Sequence, residues 1–135
     1  MTTVDNKFSD IDLNFDAHPN TGDIIPLKGV AAVSAAVRNI VLTNYYERPF
    51  KAFTAGDVQA LLFENITPHT KHVLQQQILL AINKYEPRAQ VLDVLIKDKQ
   101  NLITLDSHYL QVTIQFATLD IPEIQTVDVI LEKVR

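Results

Sequence analysis

The hydrophobic pattern of this chain changes its period at Glu86-Pro87-Arg88. Before this motif, apolar residues recur at steps of three and four, a pattern typical of helices with one buried face. After it, apolar and polar residues alternate, which is typical of strands with one buried face. The connections between the later segments are too short for parallel crossovers. The sequence therefore predicts an α+β fold in which helices pack on one face of a C-terminal antiparallel sheet.

Three N-terminal helices are predicted before the motif. The first has Pro26 in its first turn and continues to about Thr43. The second is short and covers residues 57–64. The third has Thr67 as its N-cap and Pro68 at its first position. The periodic positions are Val30, Val33, Val37, Ile40, Val41 and Asn44 in the first helix, and Leu74, Ile78, Ala81, Ile82 and Tyr85 in the third.

Four strand segments are predicted after the motif, at residues 90–98, 101–105, 109–119 and 124–134. Alternation assigns one face of the last two segments to Leu110, Val112, Ile114 and Phe116, and to Val127, Val129 and Leu131. A β-prone strand at the edge of this sheet can accept a strand from another chain. The alternative is an ordinary edge guarded by Lys97, Lys99 and Lys133. The sequence leaves both open.

Residues 1–25 are polar and contain turn residues with scattered aromatic side chains. We interpret them as an extended N-terminal arm with one short strand at Ile24-Ile25. Residues 26–135 are expected to form a single α+β domain, because a chain of 135 residues can bury one sizeable core. The N-terminus carries acids and no apolar run of signal length, so a signal peptide is not expected.

Composition and charge argue against several classes of function. The net charge of −4 is spread along the chain without a cluster of lysine and arginine, so direct nucleic-acid binding is not expected. No stretch is apolar enough to span a membrane. The chain has no cysteine and only three glycines, which removes thiolate metal sites and a glycine-rich phosphate loop. No cofactor is predicted.

Residues with catalytic or metal-binding chemistry show no recognisable pairing. His69 and His72 lie one helical turn apart, a spacing that can hold a metal, but no acidic residue accompanies them. A solvated helix face is the favoured interpretation. Glycoside hydrolysis needs two facing carboxylates, and the spacing pairs none of the candidates, which are Glu47, Asp57, Glu64 and Glu86. We predict no catalytic residue and no metal site.

The Glu86-Pro87-Arg88 motif is both a helix stop and a candidate contact site. Pro87 restricts Glu86 to extended backbone, so the third helix should end near Tyr85. Glu86 and Arg88 then point to the same side and form a fixed pair of opposite charges. This pair is either solvated and worth under about 1 kcal/mol, a charge that closes a helix end, or a rigid feature that docks on a partner. The residue types leave these alternatives open.

Four segments resemble a known family of structural proteins: "FSDIDLNF" at 8–15, "ERPF" at 47–50, "LLFENITP" at 61–68 and "NKYEPR" at 83–88. Their order and spacing are similar to those of the small baseplate wedge proteins of T-even-like contractile phages. The same family includes a small baseplate subunit of type VI secretion systems. The similarity covers nearly the whole chain. Tyr46 and Ala89 depart from it, because glycine and a larger aliphatic residue are frequent at those positions in the family.

The resemblance implies a non-enzymatic subunit of a tail baseplate wedge, located in the virion and assembled in the host cytoplasm. Its implied docking residues are Glu86, Pro87 and Arg88, with Arg48 and Phe50 of the "ERPF" loop. The implied partners are larger wedge subunits, the tail sheath, which would add strands to the sheet, and tail-tube or hub-proximal proteins. Many family members carry a lysozyme-like label. The alternative function is therefore a peptidoglycan-degrading hydrolase that uses Glu86 or Glu64 as its acid.

Overall fold

The computed structural model of the protein describes residues 8–44, 47, 49–50, 58–61, 66–100 and 108–132. Within these ranges the chain has an α+β fold with antiparallel sheets, as the sequence predicts. The elements in chain order are β1 (Ser9–Ile11), β2 (Pro26–Lys28), α1 (Val30–Leu42), α2 (Val58–Leu61), α3 (Pro68–Tyr85), β3 (Ala89–Gln100), β4 (His108–Thr118) and β5 (Gln125–Glu132).

The larger sheet has the strand order β3-β4-β5, and both pairings are antiparallel. The predicted alternation is confirmed, because the buried positions of β4 include Leu110, Val112, Ile114 and Phe116. In β5, Val129 and Leu131 are buried and Val127 is half-buried. A bulge between Val91 and Asp93 interrupts the register of β3. The predicted strand at 101–105 lies outside the described residues.

The two long helices share one hydrophobic core with this sheet. α1 contacts β5, and α3 contacts β3. The predicted start of α3 is confirmed, since the Thr67 hydroxyl accepts a hydrogen bond from the Thr70 N–H at 3.2 Å and Pro68 is the first helical residue. Its buried residues are Leu74, Ile78, Ala81 and Ile82, which the periodicity predicts.

The second predicted helix corresponds to the single turn α2. Val58 is buried in the core, and α2 contacts α1 and α3. A layer of three helices on the sheet is therefore not confirmed, because the contacts with the sheet belong chiefly to α1 and α3. The rest of the predicted range, 57 and 62–64, lies outside the described residues. No described helix is long and apolar enough to cross a membrane.

The N-terminal segment folds back on itself. β1 pairs with β2 in an antiparallel sheet, with Asp10 opposite Leu27 and Ile11 opposite Pro26. The placement of Pro26 in a helix is wrong, because proline's fixed φ and missing N–H fit an edge strand as well as a first helical turn. Gly29, at φ 60°, turns the chain from β2 into α1.

The short strand predicted at Ile24-Ile25 is an isolated bridge between Ala17 and Ile24, next to β2. The pairing of β1 with β2 crosses residue 25, the predicted end of the arm. The division into an arm, 1–25, and a domain, 26–135, stays a prediction.

Candidate functional site

Glu86-Pro87-Arg88 forms the turn that joins α3 to β3. The Glu86 N–H donates to the Ile82 carbonyl at 2.8 Å and completes the last turn of α3. The Ala89 N–H donates to the Glu86 carbonyl at 3.2 Å, directly before the chain enters β3. The predicted helix end is confirmed at Tyr85. The motif is thus fixed by backbone hydrogen bonds on both sides.

The side chains of Glu86 and Arg88 form a bidentate ion pair. Arg88 Nε donates to Glu86 Oε1 at 2.6 Å, and Arg88 Nη2 donates to Glu86 Oε2 at 2.8 Å. Two parallel charge-assisted bonds of this kind fix the direction of the guanidinium. Glu86 is only 4% exposed, so the interpretation of the pair as a solvated surface contact is wrong.

Arg88 also contacts the N-terminal strand β1. Its Nη2 donates to Asp10 Oδ2 at 3.1 Å, and its guanidinium carbon lies 5.3 Å from the centre of the Phe8 ring. We call Phe8, Asp10, Glu86 and Arg88 the Arg88 cluster. Sequence reasoning missed Phe8 and Asp10 as site residues, because they lie near the other end of the chain. The signal that could have found them was the joint presence of "FSDIDLNF" and "NKYEPR".

The electrostatics of the Arg88 cluster keep Arg88 charged. Its hydrogen bond to Glu86 raises the pKa of Arg88 above its ordinary value, partial burial opposes this rise, and the hydrogen bond to Asp10 adds to it. Three of the five guanidinium N–H groups are directed at these two acids. Nη1 makes no hydrogen bond to a described residue, and the side chain is 25% exposed. Arg88 can therefore donate to a further acceptor.

Two grooves flank the segment that follows Asp10. One has a volume of about 510 Å³ and is lined by Asp10, Ala36, Tyr85 and Arg88 among others. The other has a volume of about 570 Å³ and extends to the start of β5. Ile11 and Leu13, which are 66% and 61% exposed, line both grooves. Protein–protein interfaces are enriched in arginine and have an apolar centre, and this surface presents arginine beside apolar side chains.

The "ERPF" loop is described only in part. The Glu47 carboxylate accepts from the Asn44 N–H at 3.0 Å and from Asn44 Nδ2 at 2.9 Å, which holds the start of the loop beside the end of α1. Phe50 has a positive φ of 66° and is fully exposed, so its ring does not pack against the Arg88 cluster. Arg48 lies outside the described residues.

The described residues among those considered for metal binding or catalysis are not brought together. His69 and His72 are both exposed. No group of three potential metal ligands occurs in the described part of the chain. Both carboxylate oxygens of Glu86 accept from Arg88, which does not suit a general acid. Asp57 and Glu64 lie outside the described ranges.

Comparison with known proteins identifies the family. The chain is 31% identical over 124 residues to the baseplate wedge protein gp25 of Enterobacteria phage T4, covering 91% of this chain and 89% of that protein. The chain belongs to the baseplate wedge protein family. It is thus a structural, non-enzymatic subunit of a contractile-tail baseplate, with its place in the virion. No family model matches the chain.

Solved structures share the fold at lower sequence identity. A chain of the anti-feeding prophage baseplate matches with a TM-score of 0.62 and 21% identity, covering 92% of this chain and 84% of that one. A chain of the postcontracted pyocin R2 baseplate matches with a TM-score of 0.57 and 14% identity, covering 76% and 96%. A protein of Geobacter sulfurreducens, provisionally named a tail lysozyme, matches with a TM-score of 0.56 and 15% identity, covering 75% and 86%. This last likeness shows a common fold and does not support a hydrolase.

Proposed function

We propose that the chain docks onto larger wedge subunits through the surface around Arg88, and that its sheet receives the first strands of the tail sheath. The supporting observation for docking is the geometry of Arg88. A buried carboxylate fixes its direction, and Nη1 has no partner among the described residues. Pro87 is exposed and stiffens the turn. Family membership supports association with other baseplate subunits.

Docking through Arg88 combines charge with apolar contact. Nη1 donates to a carboxylate or to the C-terminal carbonyls of a helix in the larger subunit. Ile11, Leu13 and the fully exposed Phe50 provide apolar area that the partner covers. Arg48 is assigned to the same contact because it belongs to the "ERPF" segment. Contacts with tail-tube or hub-proximal proteins stay predictions without assigned residues.

Replacement of Phe50 by Ser tests the docking surface without disturbing the fold, because its side chain is fully exposed. Purified larger wedge subunits of the same tail are mixed with the variant, and incorporation is measured by sedimentation. We expect a loss of incorporation for Phe50→Ser and for Arg88→Lys, which keeps the charge and removes the fork. Leu80→Ser is the matched control, since Leu80 is an exposed residue of α3. Normal incorporation of both test variants would contradict docking through this surface.

Strand addition requires an open edge, and β3 and β5 are the outer strands of the larger sheet within the described residues. The edge of β3 is interrupted by the bulge after Val91, and Gln75 Nε2 occupies the Val94 carbonyl at 2.7 Å. β5 pairs with β4 in continuous register from Gln125 to Glu132. These features support β5 as the strand that receives the sheath, because a bulge and an occupied carbonyl both hinder pairing.

A lysine at an edge strand distinguishes the two edges. Ile130 in β5 is 65% exposed and Leu95 in β3 is 41% exposed, so a lysine is tolerated at either position. We expect Ile130→Lys to block the start of sheath polymerisation on assembled baseplates, with docking unchanged, and Leu95→Lys to have no effect. Electron microscopy of baseplates mixed with sheath subunits measures sheath polymerisation on both variants. The reverse result would assign the sheath to β3, and normal polymerisation on both would argue against strand addition.

A further inference from the structure

Arg88 contacts two acids that differ in burial and in the number of hydrogen bonds they accept from it. Glu86 belongs to the same turn, is 4% exposed and accepts two side-chain bonds from Arg88. This pair alone fixes the guanidinium. Asp10 lies in β1, its side chain is 42% exposed, and it accepts one bond at 3.1 Å. Loss of the Asp10 contact would thus leave Arg88 in place and would release β1.

Among the described residues, β1 has few other restraints. It has three residues, pairs with the described strand β2 and contacts α1, and a sheet of two short strands is marginally stable by itself. The Gly29 N–H donates to the Phe8 carbonyl at 2.8 Å, which holds the start of this strand. Phe8 packs against the core and lies beside Arg88. The contacts of Arg88 with Asp10 and Phe8 therefore contribute much of the attachment of β1 to the α3–β3 junction.

β1 and the turn that follows it carry exposed apolar side chains near the Arg88 cluster. Ile11 directly follows Asp10, and Leu13 follows two residues later. Both line the two grooves over α1, together with the small side chain of Ala35. The direction of Ile11 and Leu13 thus depends on the position in which Arg88 holds Asp10.

We propose that Arg88 is a positioning residue: through Asp10 it holds β1 so that Ile11 and Leu13 form, with α1, the apolar surface that a larger wedge subunit covers. This inference rests on the docking function proposed above. It adds a second role for Arg88, the support of the contact surface, to the direct contact proposed for Nη1.

The charges of the grooves indicate the chemistry of the partner segment. Four acids line the two grooves, and two arginines do, one of which is already paired with two of the acids. The excess of acid favours a segment whose lysine or arginine side chains flank its apolar residues. The groove residues that carry charge are Asp10, Asp12, Arg38, Glu86, Arg88 and Asp128. The occupant is therefore an amphipathic, basic segment of a larger wedge subunit.

The test uses the full chain and a purified wedge complex that lacks only this subunit. Hydrogen exchange of the β1 and β2 amides is measured in the free chain, and affinity for the complex by titration. We expect Asp10→Ala to exchange about tenfold faster at these amides and to bind about tenfold more weakly. The variant Ile11→Ser/Leu13→Ser should exchange like the original chain and bind at least about tenfold more weakly. Higher salt should weaken binding of the original chain.

A charge-matched control and a double variant complete the test. Asp98→Ala removes an acid from β3 about 30 Å from the cluster along the strand, and its binding should be unchanged. Asp10→Ala/Arg88→Lys should bind no more weakly than Arg88→Lys alone, because both changes release the same strand. Asp10→Ala and the serine variant leave the Glu86–Arg88 pair intact, so they remain interpretable if Arg88 variants unfold.

Three results would overturn the inference. Normal binding by Asp10→Ala, with weak binding by Arg88→Lys, would mean that Arg88 acts through its direct contact alone, and docking around Arg88 would stand. Normal binding by the serine variant would place the apolar contact elsewhere. Normal binding by every variant, including Arg88→Lys and Phe50→Ser, would reject the proposed docking function together with this inference.

Discussion

Two ion pairs lie at opposite ends of the layer that α3 and β3 form, and they differ in burial. At one end, the Arg88 cluster has a bidentate pair at 2.6 and 2.8 Å, with the Glu86 side chain 5% exposed. At the other end, Lys71 Nζ lies 4.0 Å from Asp98 Oδ2, and both side chains are about one-third exposed. Both pairs join a basic and an acidic side chain, but only the Arg88 pair has a buried member. The Arg88–Glu86 pair is held in one geometry because Glu86 is buried, whereas opposite charges alone do not fix the exposed Lys71–Asp98 pair.

Arg88→Ala should show the largest effect on stability. It leaves the buried Glu86 carboxylate without its main partner, which costs about 3 kcal/mol, at the low end for broken buried pairs because Arg88 is 25% exposed. Urea unfolding of the purified chain measures the change. A loss below about 1 kcal/mol would place the Arg88 pair in the same class as Lys71–Asp98.

Glu86→Gln should come second. The amide keeps one acceptor for Arg88 and loses the charge, while Asp10 still offsets part of the arginine charge. We expect a loss of about 1 to 2 kcal/mol in the free energy of unfolding. Urea unfolding of the purified variant measures this loss. Equal losses for Glu86→Gln and Arg88→Ala would mean that charge alone, and not the uncompensated buried group, determines the effect.

Asp10→Ala should have a small effect on global stability and a larger local one. Its side chain is 42% exposed, so the contact is worth about 0.5 to 1 kcal/mol. Thermal unfolding should change little, while exchange at the β1 amides increases. A global loss as large as that of Arg88→Ala would contradict the view that Glu86 is the main partner of Arg88.

Lys71→Ala should have the smallest effect. A pair at 4.0 Å with both side chains partly solvated contributes under about 0.5 kcal/mol. Added salt should reduce the loss of stability that Lys71→Ala causes and should leave the loss caused by Arg88→Ala nearly unchanged. A loss above about 1 kcal/mol would remove the contrast between the two ends of β3.

The sequence predicts the parts of this fold that depend on local pattern. Alternation in β4 identifies its buried face, from Leu110 to Phe116, since each strand residue's side is fixed by its position. Thr67 and Pro68 identify the start of α3 for the same local reason. Pro26 misleads, because the same restricted φ serves a first helical turn and an edge strand.

The candidate site is predicted only in its local half. Glu86 and Arg88 are two residues apart, and the stiff Pro87 makes their pairing predictable from backbone geometry. Asp10 lies 78 residues from Arg88, and a contact over that separation leaves no periodic pattern in the sequence. The burial of Glu86 also depends on how α1, α3 and the N-terminal segment pack together. The Asp10 contact and the burial of Glu86 are therefore seen only in the tertiary structure.

A structure of the assembled baseplate tests the docking surface most directly. We predict that a larger wedge subunit covers Ile11 and Leu13, with an apolar and basic segment in the grooves beside Arg88. The Arg88–Glu86 and Arg88–Asp10 bonds should be preserved beneath it. A baseplate in which this surface faces solvent, and the wedge contacts lie on another part of the chain, would contradict the proposal.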